Sequence, residues 1–402
     1  MKSVTATRDA SAHYGSLDGL RGLAAIMVAY GHAGYFGGAQ HRWVPLVSGC
    51  GTVGVVLFFF LSGFLMAHHY LPKAALGPFS RRTLKYWAAF LLRRFVRVYP
   101  AYLFAPIVGY LLLMPRMPPD YTQKTEFADL SVFDELARIA TFKGQLGIYW
   151  TVEVELFFYL LYPFAITVCL LTGRTAWTLL ALALALMVLN HFPNGLAGFS
   201  WSVPLPGMWT GYISMFVAGA FAAVVSKGIQ APVSGKPHPW NAFVLISSAS
   251  LVVIVALVSW FDLTQSSIWH LEWLFAGLFL VMFVSLVRSD GIVARLLSSR
   301  PGVVLGRVSY SLYLIHIAVY YVVLKYYSVL KHISFGHYAV AAFLALLVLT
   351  PAYYMLFERP FVRLSKMIAV NVRTAHRVAT ETDKGLPRLD HPQENKAGAP
   401  HG

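Results

Sequence analysis

Three ionisable side chains sit deep inside apolar runs. They are His32 in SLDGLRGLAAIMVAYGHAG, Glu155 in IYWTVEVELFFYLLYP and His316 in SYSLYLIHIAVYY. A charge in hydrocarbon costs at least a few kcal/mol, so such groups mark function by default. A neutral imidazole suits a general base working near pH 7, one that takes a proton from a hydroxyl. Arg21 precedes His32 by eleven residues, which on a helix sets them about 20° apart around the axis and about 16 Å apart along it. Asp18 lies close to the same stripe. The stripe reads as proton-transfer chemistry at mid-span with a guanidinium at one end. It is also compatible with a packing histidine and an arginine that snorkels to the headgroups.

The other chemistry-bearing residues fall at matching depths. Glu153 and Glu155 are two residues apart, so they point to nearly opposite sides of one helix, and at most one of them faces a given site. Glu155 shares a face with Tyr159 and Tyr162. Glu153 is expected to cap the helix or face outer water. His316 has Tyr313 and Tyr310 one and nearly two turns before it, and suits either packing or substrate binding. LLRRFVRVYP carries Arg93, Arg94 and Arg97. Arg93 and Arg97 are one turn apart and could fork onto one anion, such as a phosphorylated cytosolic donor; positive flanking charge is the plainer reading. Ser62 and Gly63 in FFFLSGFL suit close helix packing. FERP, Glu358 to Pro360, is expected to end the last span at the proline.

The elements that must hold these groups are helices. The chain has 402 residues, 57% hydrophobic and 12% charged, about half the charge of a soluble domain. That composition excludes coiled coil, collagen, disulfide scaffold and wholly disordered chain. It points to an all-α, polytopic transmembrane helix bundle. About 20 apolar residues cross the hydrocarbon, and ten stretches qualify: 17–37, 52–70, 98–115, 148–170, 175–191, 208–226, 242–260, 270–287, 307–328 and 338–357.

An even count places both termini on one side. With both in the cytoplasm, 25 of the 32 Lys and Arg residues lie inside and 7 outside, the expected positive-inside bias. The formal charge of +15 is therefore topological, and nucleic acid is not a partner. Residues 1–16 read as a cytoplasmic N-terminal segment without a removable signal, 17–360 as the membrane domain, and 361–402 as a polar, disordered tail. Cys50 and Cys169 lie near opposite faces, and no Cys/His spacing implies a metal. Midplane His and Glu would also suit a transporter or flippase for a sugar- or lipid-type solute, but matching repeats with broken helices are absent.

LDGLRGLAAIMVAYGH, FFFLSGFL, RRFVRVYP, WTVEVELFFYLLYP, SYSLYLIH and FERP, in that order over about 17–360, resemble the acyltransferase-3 family of membrane-bound O-acyltransferases of bacterial surface carbohydrates. The resemblance implies acyl-CoA, usually acetyl-CoA, as a co-substrate taken from the cytoplasm, with no bound cofactor. It implies a carbohydrate or glycolipid acceptor across the bacterial inner membrane. The family pattern falls on Arg21 and His32, on Arg93, Arg94 and Arg97, and on Glu155. His32 is then expected as the catalytic base, with Glu155 or Asp18 orienting it. Arg21 and the arginine cluster would hold the donor, and His316, Tyr313 and Tyr159 are expected to bind substrate. Many members add an extracytoplasmic hydrolase-like domain; the matched region here is the membrane part, which implies transfer by that part alone or with a separate partner. Oligomeric state is not indicated.

Overall fold

A computed structural model describes residues 14–36, 45–70, 81–113, 148–191, 207–228, 239–260, 271–329 and 335–368. Most of the N-terminal segment, the loop expected at 116–147 and the tail beyond 368 lie outside the described residues. Among the described residues every regular element is helical. The helices are α1 (Gly15–Phe36), α2 (Pro45–Tyr70), α3 (Arg81–Leu113), α4 (Trp150–Thr172), α5 (Thr175–His191), α6 (Gly207–Gly228), α7 (Pro239–Trp260), α8 (Glu272–Leu286), α9 (Ile292–Leu297), α10 (Arg300–Val329) and α11 (Phe335–Tyr353).

A helix overlies each of the ten predicted stretches. By length and composition six are able to cross a membrane: Gly49–Tyr70, Trp150–Thr172, Gly211–Gly228, Pro239–Leu257, Arg300–Leu324 and His337–Ile368. The helices at Thr175–Asn190 and Glu272–Leu286 are apolar but shorter. The site-bearing helices α1 and α3 are not among the six. The chain is a multi-pass membrane protein. Its outer faces bear this out: Leu245, Ile246 and Val252 of α7 and Phe343, Leu347 and Val348 of α11 are exposed, as side chains that meet lipid must be.

Close helix packing rests on bare backbone. Gly306 of α10 lies so near the Asp18 carbonyl of α1 that a Cβ could not be added, and Gly19 approaches the Leu297 carbonyl in the same way. Gly63 of α2 stands likewise against the Phe216 carbonyl of α6. Apolar side chains gain little by leaving lipid for each other, so small residues that let backbones touch supply much of the association. Rings fill the remaining space: Phe158 of α4 stacks on Phe216 with centroids 3.8 Å apart.

Two elements differ from their predicted form. The third helix starts well before its apolar stretch: α3 begins at Arg81 and carries Arg93, Arg94 and Arg97 within the helix. Nor does Pro360 end the last helix. A π-helical turn at Tyr354–Glu358 follows Pro351, and helix continues to residue 368. In the widened turn the Arg359 N–H bonds to the Tyr354 carbonyl. Pro360 follows immediately, where the α-type ladder is already broken and its missing N–H costs little.

Candidate active site

α1, α2, α3, α4, α10 and the segment after α11 enclose a cavity of about 710 Å³. Its walls hold five cations, Arg21, Arg94, Arg97, Arg307 and Lys366, against three carboxylates, Asp18, Glu155 and Glu358. Such an excess suits a multiply charged anion.

Arg94 is held chiefly by aromatic faces. Its guanidinium carbon lies 5.3 Å from the Tyr70 ring centroid, 5.8 Å from Phe90 and 5.3 Å from Tyr159. Each such contact is worth about 0.5–2 kcal/mol, more as water is excluded. Arg94 Nε is buried with no hydrogen-bond partner. Arg97 feels the like charges of Arg21 and Arg94 and the opposite charge of Glu358. Arg93 is placed otherwise: its Nε donates to the Ala89 carbonyl at 3.2 Å, its guanidinium lies over the Tyr70 ring at 5.4 Å, and it does not line the cavity. The forked pair expected from Arg93 and Arg97 is thus replaced by Arg94 and Arg97 together with Arg21.

Glu155 belongs to this cationic region. It accepts a hydrogen bond from Tyr159, one turn on, and attracts Arg94 across the Tyr159 ring. It makes no hydrogen bond to His32. Glu358, 3% exposed, accepts from the Ser311 N–H at 3.1 Å and from Ser311 Oγ at 2.5 Å, and its charge acts on Arg21 and Arg97. The π turn aims it there. Asp18 and Arg21 both line the cavity from α1.

Away from the arginines, Tyr313 forms part of the wall. Its hydroxyl donates to the Ile148 carbonyl at 2.7 Å and pairs with Thr151 Oγ1 at 2.6 Å. Phe58 packs edge-on against it at 6.1 Å. The Tyr313 ring is 5.7 Å from that of His316, which is 5.1 Å from that of His32. Neither imidazole lines the cavity itself; Tyr313 connects the two regions. His316 Nε2 lies 3.3 Å from His32 Nδ1, His32 Nδ1 lies 2.9 Å from the Val28 carbonyl oxygen, and His316 Nδ1 lies 2.7 Å from the Tyr313 carbonyl oxygen.

The structure therefore brings His32 and His316 together, and separately Arg21, Arg94, Arg97, Glu155 and Tyr159. It does not join Glu155 to His32. Two buried acids also stand apart from expectation. Glu153, assigned from sequence to a cap or outer water, is 5% exposed beside Tyr102. Glu272, not singled out from the sequence, is 1% exposed and accepts from Asn190 and Ser214 at 3.4 and 3.5 Å. Its signal was an acid opening the apolar run EWLFAGLFLVMFVSL. Arg307 and Lys366 were likewise passed over as ordinary flanking charge.

A family model described as an acyltransferase domain matches residues 14–354. Among curated proteins, the chain is similar to the O-acetyltransferase OatA of Staphylococcus aureus strains NCTC 8325 and COL, each 25% identical over 345 residues, covering 77% of this chain and 51% of the relative. The chain thus spans about half the length of the curated relatives it matches. No solved structure matches. The family match runs through α1, α2, α3, α4 and α10 of the cavity wall, and this chain belongs to the acyltransferase-3 family.

Proposed function

We propose that the chain is an O-acyltransferase of the bacterial inner membrane, moving an acetyl-type group from cytoplasmic acyl-CoA to a hydroxyl of a carbohydrate or glycolipid. The observation that carries this is the convergence of Arg21, Arg94 and Arg97 in one cavity whose wall, at Tyr313, packs onto the His316–His32 pair. Phosphates of the donor sit among the guanidinium groups, where charge-assisted bonds are strong. The thioester arm runs along α1, past Phe58 and Tyr313, towards His32.

In this reading His32 Nε2 takes the proton from the acceptor hydroxyl as its oxygen attacks the thioester carbonyl. The C–S bond then breaks, and the imidazolium returns the proton to the leaving sulfur. One ester and one free thiol result, with His32 regenerated. Glu155 serves as the counter-charge that orients Arg94 through Tyr159. The name of the OatA relatives, O-acetyltransferase, supports acetyl as the group moved.

The test is His32→Ala in cells, with membrane abundance matched and surface carbohydrate analysed by mass spectrometry. Loss of the acyl substituent is expected, since a positioned base contributes about 10²–10⁴ in rate. Unchanged acylation would remove His32 from the chemistry.

A further inference from the structure

The hydrogen bonds around the two imidazoles admit one neutral arrangement. A carbonyl oxygen only accepts, so the nitrogen facing it carries the hydrogen. His316 Nδ1 faces the Tyr313 carbonyl oxygen at 2.7 Å and therefore donates, which leaves His316 Nε2 with a bare lone pair. His32 Nδ1 faces the Val28 carbonyl oxygen at 2.9 Å and donates in turn. The same N–H is 3.3 Å from the bare Nε2 of His316. Nitrogen tautomers are fixed by the bond the other nitrogen makes. His32 Nε2 is thus unprotonated, and no described residue hydrogen-bonds it.

The Val28 bond alone would hold the ring weakly. That carbonyl belongs to the same helix four residues back and already accepts a backbone N–H. His316 supplies an acceptor from another helix, α10, and is itself fully buried. Tyr313 and Tyr320 flank its ring at 5.7 and 5.8 Å. The Tyr320 hydroxyl reaches back to the Ala29 carbonyl of α1 at 2.7 Å, tying the two helices at this level.

We infer that His316 is a positioning residue. Through its Nε2 it holds His32 in the Nδ1–H tautomer, so that His32 Nε2 is presented as the base. The inference rests on the function proposed above. The orienting partner is thereby a neutral imidazole and not Glu155 or Asp18. A neutral acceptor suits this depth, because a carboxylate beside His32 would bring a fixed charge into hydrocarbon or force a permanent imidazolium. When His32 gains a proton, its Nδ1–H keeps the same acceptor, and the ring does not move between the two halves of the reaction.

Two conservative variants separate this role from packing. His316→Gln places an amide oxygen near the former Nε2 and can accept from His32. His316→Asn reaches only the former Nδ1 position; it can keep the bond to the Tyr313 carbonyl but cannot reach His32. The full-length chain would be supplied to inverted membrane vesicles of the producing bacterium lacking its own copy, which retain the native acceptor. Incorporation of label from radioactive acetyl-CoA is then read against donor concentration. The expected result is that Gln retains kcat within about fivefold, while Asn loses about 100-fold in kcat with an unchanged donor KM, in the range where orienting partners and wrong tautomers act.

Asn equal to or better than Gln would overturn the positioning role and leave a backbone-bonded packing histidine. His32→Ala is run in parallel. Activity surviving in His32→Ala removes the proposed base, whereas a dead His32→Ala with a fully active His316→Asn removes only His316. Nitrogen-15 histidine NMR of the wild-type protein, with His32 assigned by its loss in His32→Asn, provides a readout independent of how the variants fold. A protonated Nδ1 and bare Nε2 on His32 are expected, and the opposite tautomer would refute the assignment.

Discussion

Arg94 offers the sharpest quantitative test of the cationic cavity. Its guanidinium is clamped by Tyr70, Phe90 and Tyr159 at 5.3–5.8 Å with Nε unpartnered, so it is pre-organised for an incoming anion. Arg94→Gln keeps much of the volume and removes the charge. A hydrogen bond to a charged group contributes about 1.5–3 kcal/mol, and a fork-shaped contact engages one or two, so a loss of about 3 kcal/mol is expected, roughly 100-fold in Kd. Arg94→Lys keeps the charge but loses the planar fork and the face-on stacking, which should cost about tenfold. Isothermal titration of a non-hydrolysable thioether analogue of acetyl-CoA into nanodisc-embedded protein would measure both. Arg93→Gln is the internal comparison, because Arg93 does not line the cavity, and less than threefold weakening is expected. If Arg94→Gln bound the analogue as tightly as wild type while Arg93→Gln bound weakly, the assignment of the two faces of α3 would be wrong.

Two further predictions concern what holds the cavity in shape. Glu358→Leu removes the acceptor of the buried Ser311 hydroxyl and strips the counter-charge from Arg21 and Arg97; a loss of about 3–5 kcal/mol follows for a broken buried charge network, visible as a lower thermal midpoint in detergent. Gly63→Val drives a branched side chain into the Phe216 carbonyl and should destabilise by about 3 kcal/mol. Gly277→Ala, with nothing within 4 Å of the added Cβ, should instead be neutral or gain up to about 1 kcal/mol of helix propensity; equal behaviour of the two glycines would contradict the close approach of α2 and α6.

Much of this was legible before any coordinates. Apolar run length located the helices, and the eleven-residue spacing set Arg21 and His32 on one stripe, because helical period fixes direction around an axis. What period cannot give is the partner. His32 and His316 are 284 residues apart, and nothing in either helix alone says that their rings meet. Glu155 was legible as an acid within an apolar run, yet its neighbour Tyr159 on the same face turned out to be its hydrogen-bond partner, and Arg94 its charge partner, because α3 begins at Arg81, well before its apolar stretch, and brings Arg94 beside α4. Tyr70 closes the second helix and had no sequence mark beyond its type; only the fold shows its ring in contact with both Arg93 and Arg94. Glu153 was misjudged because its position at a helix start suggested water, whereas the fold buries it near Tyr102 of α3.

The π turn after Pro351 has a consequence for how the last helix can be edited. A π turn is a helix carrying one surplus residue, and here it resets the angular phase of everything that follows. Upstream, Phe343, Leu347 and Val348 look outward to the bilayer; downstream, Glu358 and Lys366 look inward to the cavity. Drawing the same residues into a regular α ladder would rotate the downstream segment by about 100°, turning the carboxylate away from Ser311 without altering a single contacting side chain, whereas excising the surplus residue would restore the ladder and leave that segment in phase. The widened turn in that short stretch is therefore as much a determinant of the site's charge pattern as the identity of the acid it delivers.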